Sequence, residues 1–297
     1  MKEEILKLKR EKKAIILAHN YQRPEVQEIA DFIGDSFELA RKAKETDAKI
    51  IVFCGVIFMV EMAKILNPDK KVITPRIDAR CPMADMVLPE DVLELKEKYP
   101  DAKVVSYVNT NADVKAISDI CCTSSNAVKV VKSLNSERII FLPDENLANY
   151  VSRFVNKEII PFNGFCYVHK RFSYDEVKKA KEIHPDAVLI VHPECDPCII
   201  DIADEVASTS GMVRLAKERK EKKFLIGTEE GLIQRLKREI KDKEFYSAGS
   251  PKICYNMKKI GLIDVYNSLL YERDEIIIDE KIIEKARKPL ERMLEVI

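Results

Sequence analysis

Three strand-like segments of the sequence each end in a pair of polar residues, and the three pairs keep a fixed register along the chain. The pairs are His19 with Tyr21, Tyr107 with Asn109, and His192 with Glu194. Their second members lie 88 and then 85 residues apart. A repeat of that length has the size of a small domain and is too long for one unit of a solenoid. The register therefore predicts a chain built from three similar units.

Two further residue types follow each pair in the same register. A hydroxyl residue lies 15 residues beyond each pair, and a cysteine lies 45, 42 and 45 residues beyond the successive hydroxyls. The hydroxyl residues are Ser36, Ser124 and Thr209, and the cysteines are Cys81, Cys166 and Cys254. Each hydroxyl precedes helical sequence, where it can cap a helix that binds a carboxylate or phosphate at its N-terminus. Because ligands bind at the carboxyl ends of parallel strands, three facing units predict one composite active site.

Short β-branched segments alternate with charged helical patterns along the whole chain, which is typical of parallel sheets with helical crossovers. The predicted helices include 29–45, 89–99 and 173–184. The predicted strands are 14–21, 49–56, 71–75, 103–109, 138–143, 187–194 and 222–227. The fold class is therefore α/β. The sequence contains neither G-x-G-x-x-G nor a P-loop, so dinucleotide and nucleoside triphosphate binding lack their usual motifs.

The composition excludes several classes of function. The chain has 50 Lys and Arg against 50 Asp and Glu, so it has no net charge to attract nucleic acid or an anionic membrane. The longest apolar run, residues 50–60, is far shorter than the ~20 residues of a membrane-spanning helix. Residues 1–13 lack the apolar core of a signal peptide. We therefore expect a cytoplasmic protein with neither a membrane nor nucleic acid as a partner.

The chain has eight cysteines, which without a secretory signal favour metal binding or catalysis over disulfides. Cys54, Cys121 and Cys122 lie in strand-like segments and are predicted to be buried apolar residues. The three cysteines in register can bind zinc together with His169, or three irons of an iron–sulfur cluster. A cluster held by three cysteines leaves one iron open, which suits the Lewis-acid chemistry of a dehydratase.

Eight stretches of the sequence form a specific set in this order and spacing. They are AHNYQRPEVQEIADFIGDS (18–36), CPMA (81–84), YVNT (107–110), TSSNA (123–127), NGFCYVH (163–169), HPEC (192–195), STSGM (208–212) and CYNMK (254–258). Through them the chain resembles the quinolinate synthase family over essentially its whole length. The resemblance implies three pseudo-symmetric, three-layer α/β/α domains around a central 4Fe–4S cluster. It also implies condensation of iminoaspartate with dihydroxyacetone phosphate to quinolinate, with loss of phosphate and two waters.

The resemblance also implies roles for individual residues. Cys81, Cys166 and Cys254 match the cluster ligands of the family. The substrate-binding residues of the family match His19, Ser36, Tyr107, Asn109, Ser124, His192, Glu194 and Thr209. Tyr21 matches a tyrosine implicated in cyclisation, and Glu194 is the carboxylate expected to transfer protons. His169 is matched as well, either as a hydrogen-bonding residue beside the cluster or as a substrate contact.

The repeats predict three domains over residues 1–84, 85–170 and 171–261. The C-terminal segment, 262–297, is expected to pack back on the first domain. Iminoaspartate hydrolyses readily, so the resemblance implies an aspartate oxidase or an aspartate dehydrogenase as a metabolic partner that supplies it.

The residues leave three alternatives open. The first is a zinc-dependent lyase or hydrolase in which His169 completes a site with the three cysteines in register. The second is a non-catalytic cluster-bearing sensor, although no basic patch or DNA-reading helix supports it. The third concerns Cys195 and Cys198, the only C-x-x-C pair, which either stay free or form a disulfide that gates activity.

Overall fold

The computed structural model of the protein describes residues 1–296, and they contain three separate sheets of four strands each. The first sheet consists of β1 (Ala14–His19), β2 (Phe32–Gly34), β3 (Ile50–Cys54) and β4 (Lys71–Ile73). The second consists of β5 (Lys103–Tyr107), β6 (Ile120–Cys122), β7 (Arg138–Leu142) and β8 (Glu158–Pro161). The third consists of β9 (Val188–Val191), β10 (Glu205–Val206), β11 (Lys223–Gly227) and β12 (Glu244–Ser247).

One helix precedes the first strand, and the others connect the strands or follow the last of them. They are α1 (Lys2–Glu11), α2 (Pro24–Gln27), α3 (Ser36–Glu45), α4 (Ile57–Leu66), α5 (Pro89–Lys98), α6 (Ala112–Ala116), α7 (Ala127–Ser133), α8 (Glu145–Ser152), α9 (Tyr174–Ile183), α10 (Pro197–Ile200), α11 (Thr209–Glu218), α12 (Glu230–Glu239), α13 (Leu262–Tyr271) and α14 (Glu280–Glu295). Two 3-10 turns cover His169–Arg171 and Met257–Lys259. Within residues 1–296, no helix combines the length and apolar character that crossing a bilayer requires.

The three sheets share one topology. In each, the first strand lies between the second and the third, the fourth lies beside the third, and every pair is parallel. Parallel neighbours require a crossover, and a helix supplies it between each pair of successive strands. The α/β fold of three similar units is therefore confirmed.

Several predicted boundaries are corrected by the structure. The predicted helix 29–45 starts only at Ser36, because residues 32–34 form strand β2. The predicted strand 187–194 ends at Val191, which leaves His192 and Glu194 in the following turn. The short strands β2, β8, β10 and β12 were not predicted, and β6 was indicated only by the strand-like surroundings of Cys121 and Cys122. Strands of two to four residues are too short to show an alternating pattern.

Each sheet is buried on both faces, which explains its nearly continuous apolar strands. In the first unit, Ile16 and Val52 face an outer core formed with α1 and α13, and the second and third units have outer cores of their own. The opposite faces of all three sheets contribute to a single larger core. Leu17 of β1, Phe141 of β7 and Phe224 of β11 belong to it. The three units are thus joined by one shared apolar core.

The C-terminal segment divides into two parts. Helix α13 packs against α1 and β3 of the first unit, whereas α14 packs against α6 and β6 of the second unit and against α4 of the first. Asn126 donates to the carbonyl oxygen of Met293 over 3.1 Å, which ties α14 to the start of α7. Ile297, the last residue of the predicted segment 262–297, lies outside the described residues. The predicted domain boundaries themselves stay a prediction.

An aspartate in each unit ties the first strand to the turn before the second. Its carboxylate accepts a hydrogen bond from a backbone N–H of the first strand, at 2.8, 2.9 and 2.8 Å in the three units. The acceptor and donor residues are Asp31 with Ile16, Asp119 with Val104, and Asp204 with Leu189. These aspartates keep the 88 and 85 spacing, so they are a fourth repeated position that the sequence analysis did not single out.

Replacing one of these aspartates tests their role in stability. Asp119→Ala leaves the buried N–H of Val104 without its acceptor, which costs about 1–3 kcal/mol of unfolding free energy. Urea denaturation measures the loss. Asp47→Ala, at an exposed position with no ion pair among the described residues, is the control and should change little. Equal stability of the two variants would contradict the assignment.

Candidate active site

One cavity between the three units is lined by all twelve residues that the sequence analysis placed at the site. They are His19, Tyr21, Ser36, Cys81, Tyr107, Asn109, Ser124, Cys166, His192, Glu194, Thr209 and Cys254. Each unit contributes the end of its first strand, the residues after its second strand and the loop after its fourth strand. The shared topology therefore brings equivalent positions of the three repeats to one place. The individual role of each residue stays a prediction.

Two of the polar pairs adopt the same local geometry. The N–H of Tyr21 donates to His19 Nδ1 over 3.2 Å, and the N–H of Glu194 donates to His192 Nδ1 over 3.3 Å. Burial lowers the pKa of both histidines to about 3. Each imidazole is therefore neutral, and its proton resides on Nε2 because Nδ1 accepts. The two rings act as hydrogen-bond donors at the cavity.

The hydroxyl residues lie at helix starts, but they are not the capping residues that the sequence predicted. The caps are the preceding residues, Asp35 for α3 and Ser208 for α11, whose side chains accept from backbone N–H groups. Ser36 and Thr209 are instead the first residues of these helices. Capping by the preceding residue leaves their own hydroxyls available to the cavity. The position of Ser124 is different, since it lies before α7 and contacts His192 Nε2 at 3.2 Å.

The three cysteine loops are held by the helices that follow each third strand. The first N–H of α4, α8 and α12 donates to the carbonyl oxygen two residues before the cysteine, at 2.9, 2.9 and 3.0 Å. These carbonyls belong to Ala79, Gly164 and Lys252. In the third unit, Glu229 at the start of α12 also accepts from the N–H of Cys254 over 3.1 Å. Glu229 was not predicted as a site residue, and its equivalents in the repeat are Asp144 in the second unit and Val56 in the first.

The three cysteines in register are thiols whose pKa values are raised. Burial raises the pKa of Cys81 to about 12, and burial and the nearby charge of Glu194 raise that of Cys166 well above its usual value. Burial likewise raises the pKa of Cys254. Among the described residues, no lysine or arginine lines the cavity to stabilise a thiolate. A bound metal would supply that charge, because ligation deprotonates a thiol.

Glu194 is a buried carboxylate surrounded by donors. Tyr107 donates its hydroxyl proton to Oε1 over 2.5 Å, and His169 Nδ1 lies 2.7 Å from Oε2. Burial acts to raise its pKa, but His192, His169 and the Tyr107 hydroxyl outweigh burial and hold it below the usual range. Donor atoms of Cys166, His169 and Glu194 also lie within 4.8 Å of one another, a set that can hold a metal ion.

Tyr21 is linked to this carboxylate through a residue that the sequence analysis missed. Burial and the charge of Glu194 raise the pKa of Tyr21 well above its usual value, so its hydroxyl keeps its proton. That hydroxyl lies 2.5 Å from Thr228 Oγ1, which lies 2.8 Å from His169 Nε2. His169 does not line the cavity, which favours its hydrogen-bonding role over a direct substrate contact.

Comparison with known proteins identifies the family of the chain. The sequence profile of the family described as Quinolinate synthetase A protein matches residues 3–295. The chain belongs to this family. A quinolinate synthase of Alkaliphilus metalliredigens is 54% identical over 297 residues, which cover 100% of this chain and 98% of that protein. One of Caldicellulosiruptor bescii is 53% identical over 296 residues, 99% of this chain and 98% of that protein. One of Pyrococcus horikoshii is 52% identical over 295 residues, with the same coverage.

The five cysteines outside the register differ in their surroundings from the three cysteines in register. Cys54, Cys121 and Cys122 are fully buried in strands, which confirms that they are apolar core residues. Of the C-x-x-C pair, Cys195 is fully buried whereas Cys198 is exposed. All eight cysteines are free thiols in this structure.

Alkylation of the folded, reduced protein distinguishes these thiols. Brief treatment with iodoacetamide should label Cys198 first, because it is the exposed thiol. Cys54 and Cys121 should resist labelling until the protein is unfolded, since burial both excludes the reagent and raises their pKa. Peptide mass spectrometry measures the order. Labelling of Cys54 as fast as Cys198 would contradict the described packing of β3.

Proposed function

We propose that this protein is a quinolinate synthase that condenses iminoaspartate with dihydroxyacetone phosphate, with loss of phosphate and two waters. The observation that carries this proposal is the convergence of three polar strand ends and three cysteines on one cavity. It occurs in a chain that matches the family from residue 3 to residue 295. Each unit supplies a part, so no single unit could form the site alone.

The donors around the cavity suit anionic substrates. The Nε2–H groups of His19 and His192 are donors, and Thr209 Oγ1 accepts from Asn20 over 2.8 Å, which leaves its own proton free. Asn109 Oδ1 is an acceptor that is buried without a partner among residues 1–296, so a hydroxyl or N–H group of a bound substrate would satisfy it. Neutral donors can hold carboxylates and phosphate without the strong desolvation cost of a buried lysine. We assign substrate binding to these residues together with Ser36, Tyr107 and Ser124.

Proton transfer is assigned to Glu194 and Tyr21. The condensation needs enolisation, and each loss of water needs a proton donor and acceptor. Glu194 lines the cavity as an ionised carboxylate and can accept a proton there. Tyr21 lines the same cavity with a protonated hydroxyl, which suits the later cyclisation. Their hydrogen-bond partners keep each group oriented before substrate arrives.

The three cysteines in register fit a 4Fe–4S cluster. Cys81, Cys166 and Cys254 come from three loops around one cavity, and each thiolate would bind a different iron. When bound, such a cluster supplies one open iron as a Lewis acid for a substrate oxygen. The chain would provide three thiolate ligands, and the fourth iron would then be available to a substrate in the cavity.

The arrangement does not favour the zinc alternative. Donor atoms around one tetrahedral zinc lie about 3.8 Å apart, as Zn–S distances of about 2.3 Å require. Within the described chain, the set of donors within 4.8 Å of one another is that of Cys166, His169 and Glu194. Cys81 and Cys254 are not part of it. The sulfur atoms of cysteines that bind separate irons of a cluster can lie further apart than the ligand atoms of a single zinc ion.

The proposed reaction also indicates the surroundings of the enzyme. An oxidase or a dehydrogenase acting on aspartate must supply iminoaspartate, because this imine hydrolyses readily in water. We propose a cytoplasmic location, since cluster assembly requires the cysteines to stay reduced. No physical association with the upstream enzyme is required by this scheme.

Turnover by anaerobically purified protein tests the proposed function. Protein loaded with about four irons per chain is mixed with dihydroxyacetone phosphate and iminoaspartate made in place from aspartate by an aspartate oxidase. Quinolinate should form in proportion to enzyme, as measured by chromatography and mass spectrometry. Fully loaded protein that forms no quinolinate would refute the proposal. A colourless protein with one zinc per chain would support the zinc alternative.

Replacing the cysteines tests the ligand assignment. Cys81→Ala, Cys166→Ala and Cys254→Ala should each lose the visible absorbance of the cluster and nearly all activity, because three thiolates are the minimum anchor. Cys198→Ala and Cys121→Ala are controls that should keep their iron. Iron loss in the Cys198 variant with iron retention in one of the three would refute the assignment.

Replacing Glu194 separates proton transfer from assembly of the site. Glu194→Gln keeps the shape, and its amide can accept from His169 and donate to Tyr107. We expect normal iron content, retained quinolinate binding and turnover lower by ~10²–10⁴-fold. Glu182→Gln, at an exposed position, is the control. Unchanged turnover in Glu194→Gln would remove this carboxylate from the mechanism.

A further inference from the structure

Three helices, one from each unit, line a groove that lies beside the central cavity. They are α3, α7 and α11, which connect the second and third strands of the three sheets. The groove has a volume of about 670 Å³, and Asp35 and Ser124 line both the groove and the cavity. A molecule in the groove would therefore lie next to the residues that are assigned to substrate binding.

The repeat places a cation at the same position beside each of these helix starts. Arg41, Lys129 and Arg214 each lie five residues beyond the hydroxyl residue in register, so they keep the spacing of 88 and 85 residues. All three are exposed and line the groove, and we call them the groove cations. A single exposed lysine or arginine on a helix is common. Three at equivalent positions along one groove indicate a shared role.

The helix dipole does not explain the groove cations. Lysine and arginine are favoured in the last turn of a helix, where the carbonyl end carries a partial negative charge. In α3, α7 and α11 the last turn already contains Lys44, Lys132 and Lys217. Each groove cation lies three residues before one of these lysines and outside the last turn. Their positions therefore indicate a role in the groove rather than in helix stability.

The charges of the groove cations are available to a ligand. Arg41 lies 3.7 Å from the carboxylate of Glu45, and both side chains are 52% exposed, so this pair contributes little. Among residues 1–296, neither Lys129 nor Arg214 forms a salt bridge. An anion can therefore bind these side chains without breaking a strong ion pair.

The two carboxylates that line the groove are held by other hydrogen bonds. Asp35 accepts from two backbone N–H groups at the start of α3 and from Ser208 Oγ over 3.1 Å. Glu38 accepts from the hydroxyl of Ser210. Neither carboxylate forms a salt bridge within the described chain, and Lys132 adds a fourth cation to the lining. With four cations and two carboxylates, the groove carries an excess of positive charge.

We propose that the groove is the entrance to the central cavity and that Arg41, Lys129 and Arg214 bind a phosphate monoester there. The proposal rests on the proposed function, in which dihydroxyacetone phosphate is that monoester. Within residues 1–296, no lysine or arginine lines the cavity itself, so a dianion meets its cations outside the cavity. Clustered cations raise the local concentration of an anionic substrate and the rate at which it arrives. Exposed charges bind weakly, which lets the substrate move on into the cavity.

Binding of sn-glycerol 3-phosphate to the holoenzyme tests the groove site. This monoester has the charge and nearly the size of dihydroxyacetone phosphate, but it lacks the carbonyl group that condensation needs. Calorimetry at low ionic strength compares the wild type with a groove variant that carries Arg41→Gln, Lys129→Gln and Arg214→Gln. We expect the groove variant to bind about 10-fold more weakly, because three exposed charge pairs are lost. No measurable binding to the wild type would overturn the proposal.

A control variant removes the same amount of charge from other parts of the surface. Arg10→Gln, Lys178→Gln and Lys179→Gln change three exposed cations that do not line the groove. This control should bind sn-glycerol 3-phosphate as the wild type does. Equal affinities of the groove variant and the control variant would overturn the proposal, since the position of the cations would then not matter.

The salt dependence of binding tests whether exposed charges hold the monoester. The screening length falls from about 30 Å at about 0.01 M salt to about 8 Å at about 0.15 M. The affinity of the wild type should therefore fall over this range and approach that of the groove variant, whose affinity should change little. A wild-type affinity that does not change with salt would overturn the proposal.

Steady-state kinetics relates the groove to turnover. In the groove variant, the KM for dihydroxyacetone phosphate should rise about 10-fold at low ionic strength, in line with the weaker binding. The kcat should change much less, because the groove cations do not line the cavity in which the reaction takes place. A lower kcat with an unchanged KM would overturn the proposal.

The groove site and the proposed function can fail independently. A wild type that binds sn-glycerol 3-phosphate through the groove cations but forms no quinolinate would support the groove site and refute the proposed function. An enzyme that forms quinolinate, while the groove and control variants bind the monoester equally, would refute the groove site and support the proposed function.

Discussion

The apolar core shared by the three sheets is the constraint on which the site depends. Residues from the inner faces of all three sheets pack in one cluster, so the units cannot separate without exposing it to water. This packing directs the carboxyl ends of the three first strands toward one cavity. Because the same topology occurs three times, positions that are far apart in sequence become neighbours. The site is thus a consequence of how the units pack, rather than a property of any one of them.

Burial then determines the electrostatics of the cavity. His19 and His192 are neutral because burial disfavours their charged forms, and Glu194 stays ionised because several donors surround it. Among residues 1–296, no lysine or arginine lines the cavity beside the thiols in register, so a bound metal would favour their deprotonated forms. Neutral donors, one carboxylate and three thiols thus line one cavity, a set of groups that can hold a metal ion.

Equivalent positions around the cavity carry different residue types in the three repeats. The two pairs that begin with histidine share one backbone geometry, but they end in a tyrosine in the first unit and a glutamate in the third. The hydroxyl of Thr228 likewise occurs only in the third unit, because the equivalent positions of the first and second units are occupied by Gly55 and Pro143. The three copies of one fold therefore place residues at equivalent positions. Differences in residue type between the copies place a phenol, a carboxylate and a hydroxyl around the cavity.

The sequence predicts the fold class, the three units and twelve of the residues that line the cavity, because the repeat keeps strand ends, hydroxyls and cysteines in register. It did not determine the shortest strands, such as β10, since two residues carry no periodicity. It also did not identify the side chains that cap α3 and α11, which belong to the residues just before Ser36 and Thr209, because a capping side chain is recognised by its hydrogen bonds rather than by its type. The position of Thr228 between Tyr21 and His169 could not be predicted from the sequence and is seen only in the tertiary structure. Those three residues come from distant parts of the chain, and only the packing of the units brings their polar atoms within hydrogen-bond distance.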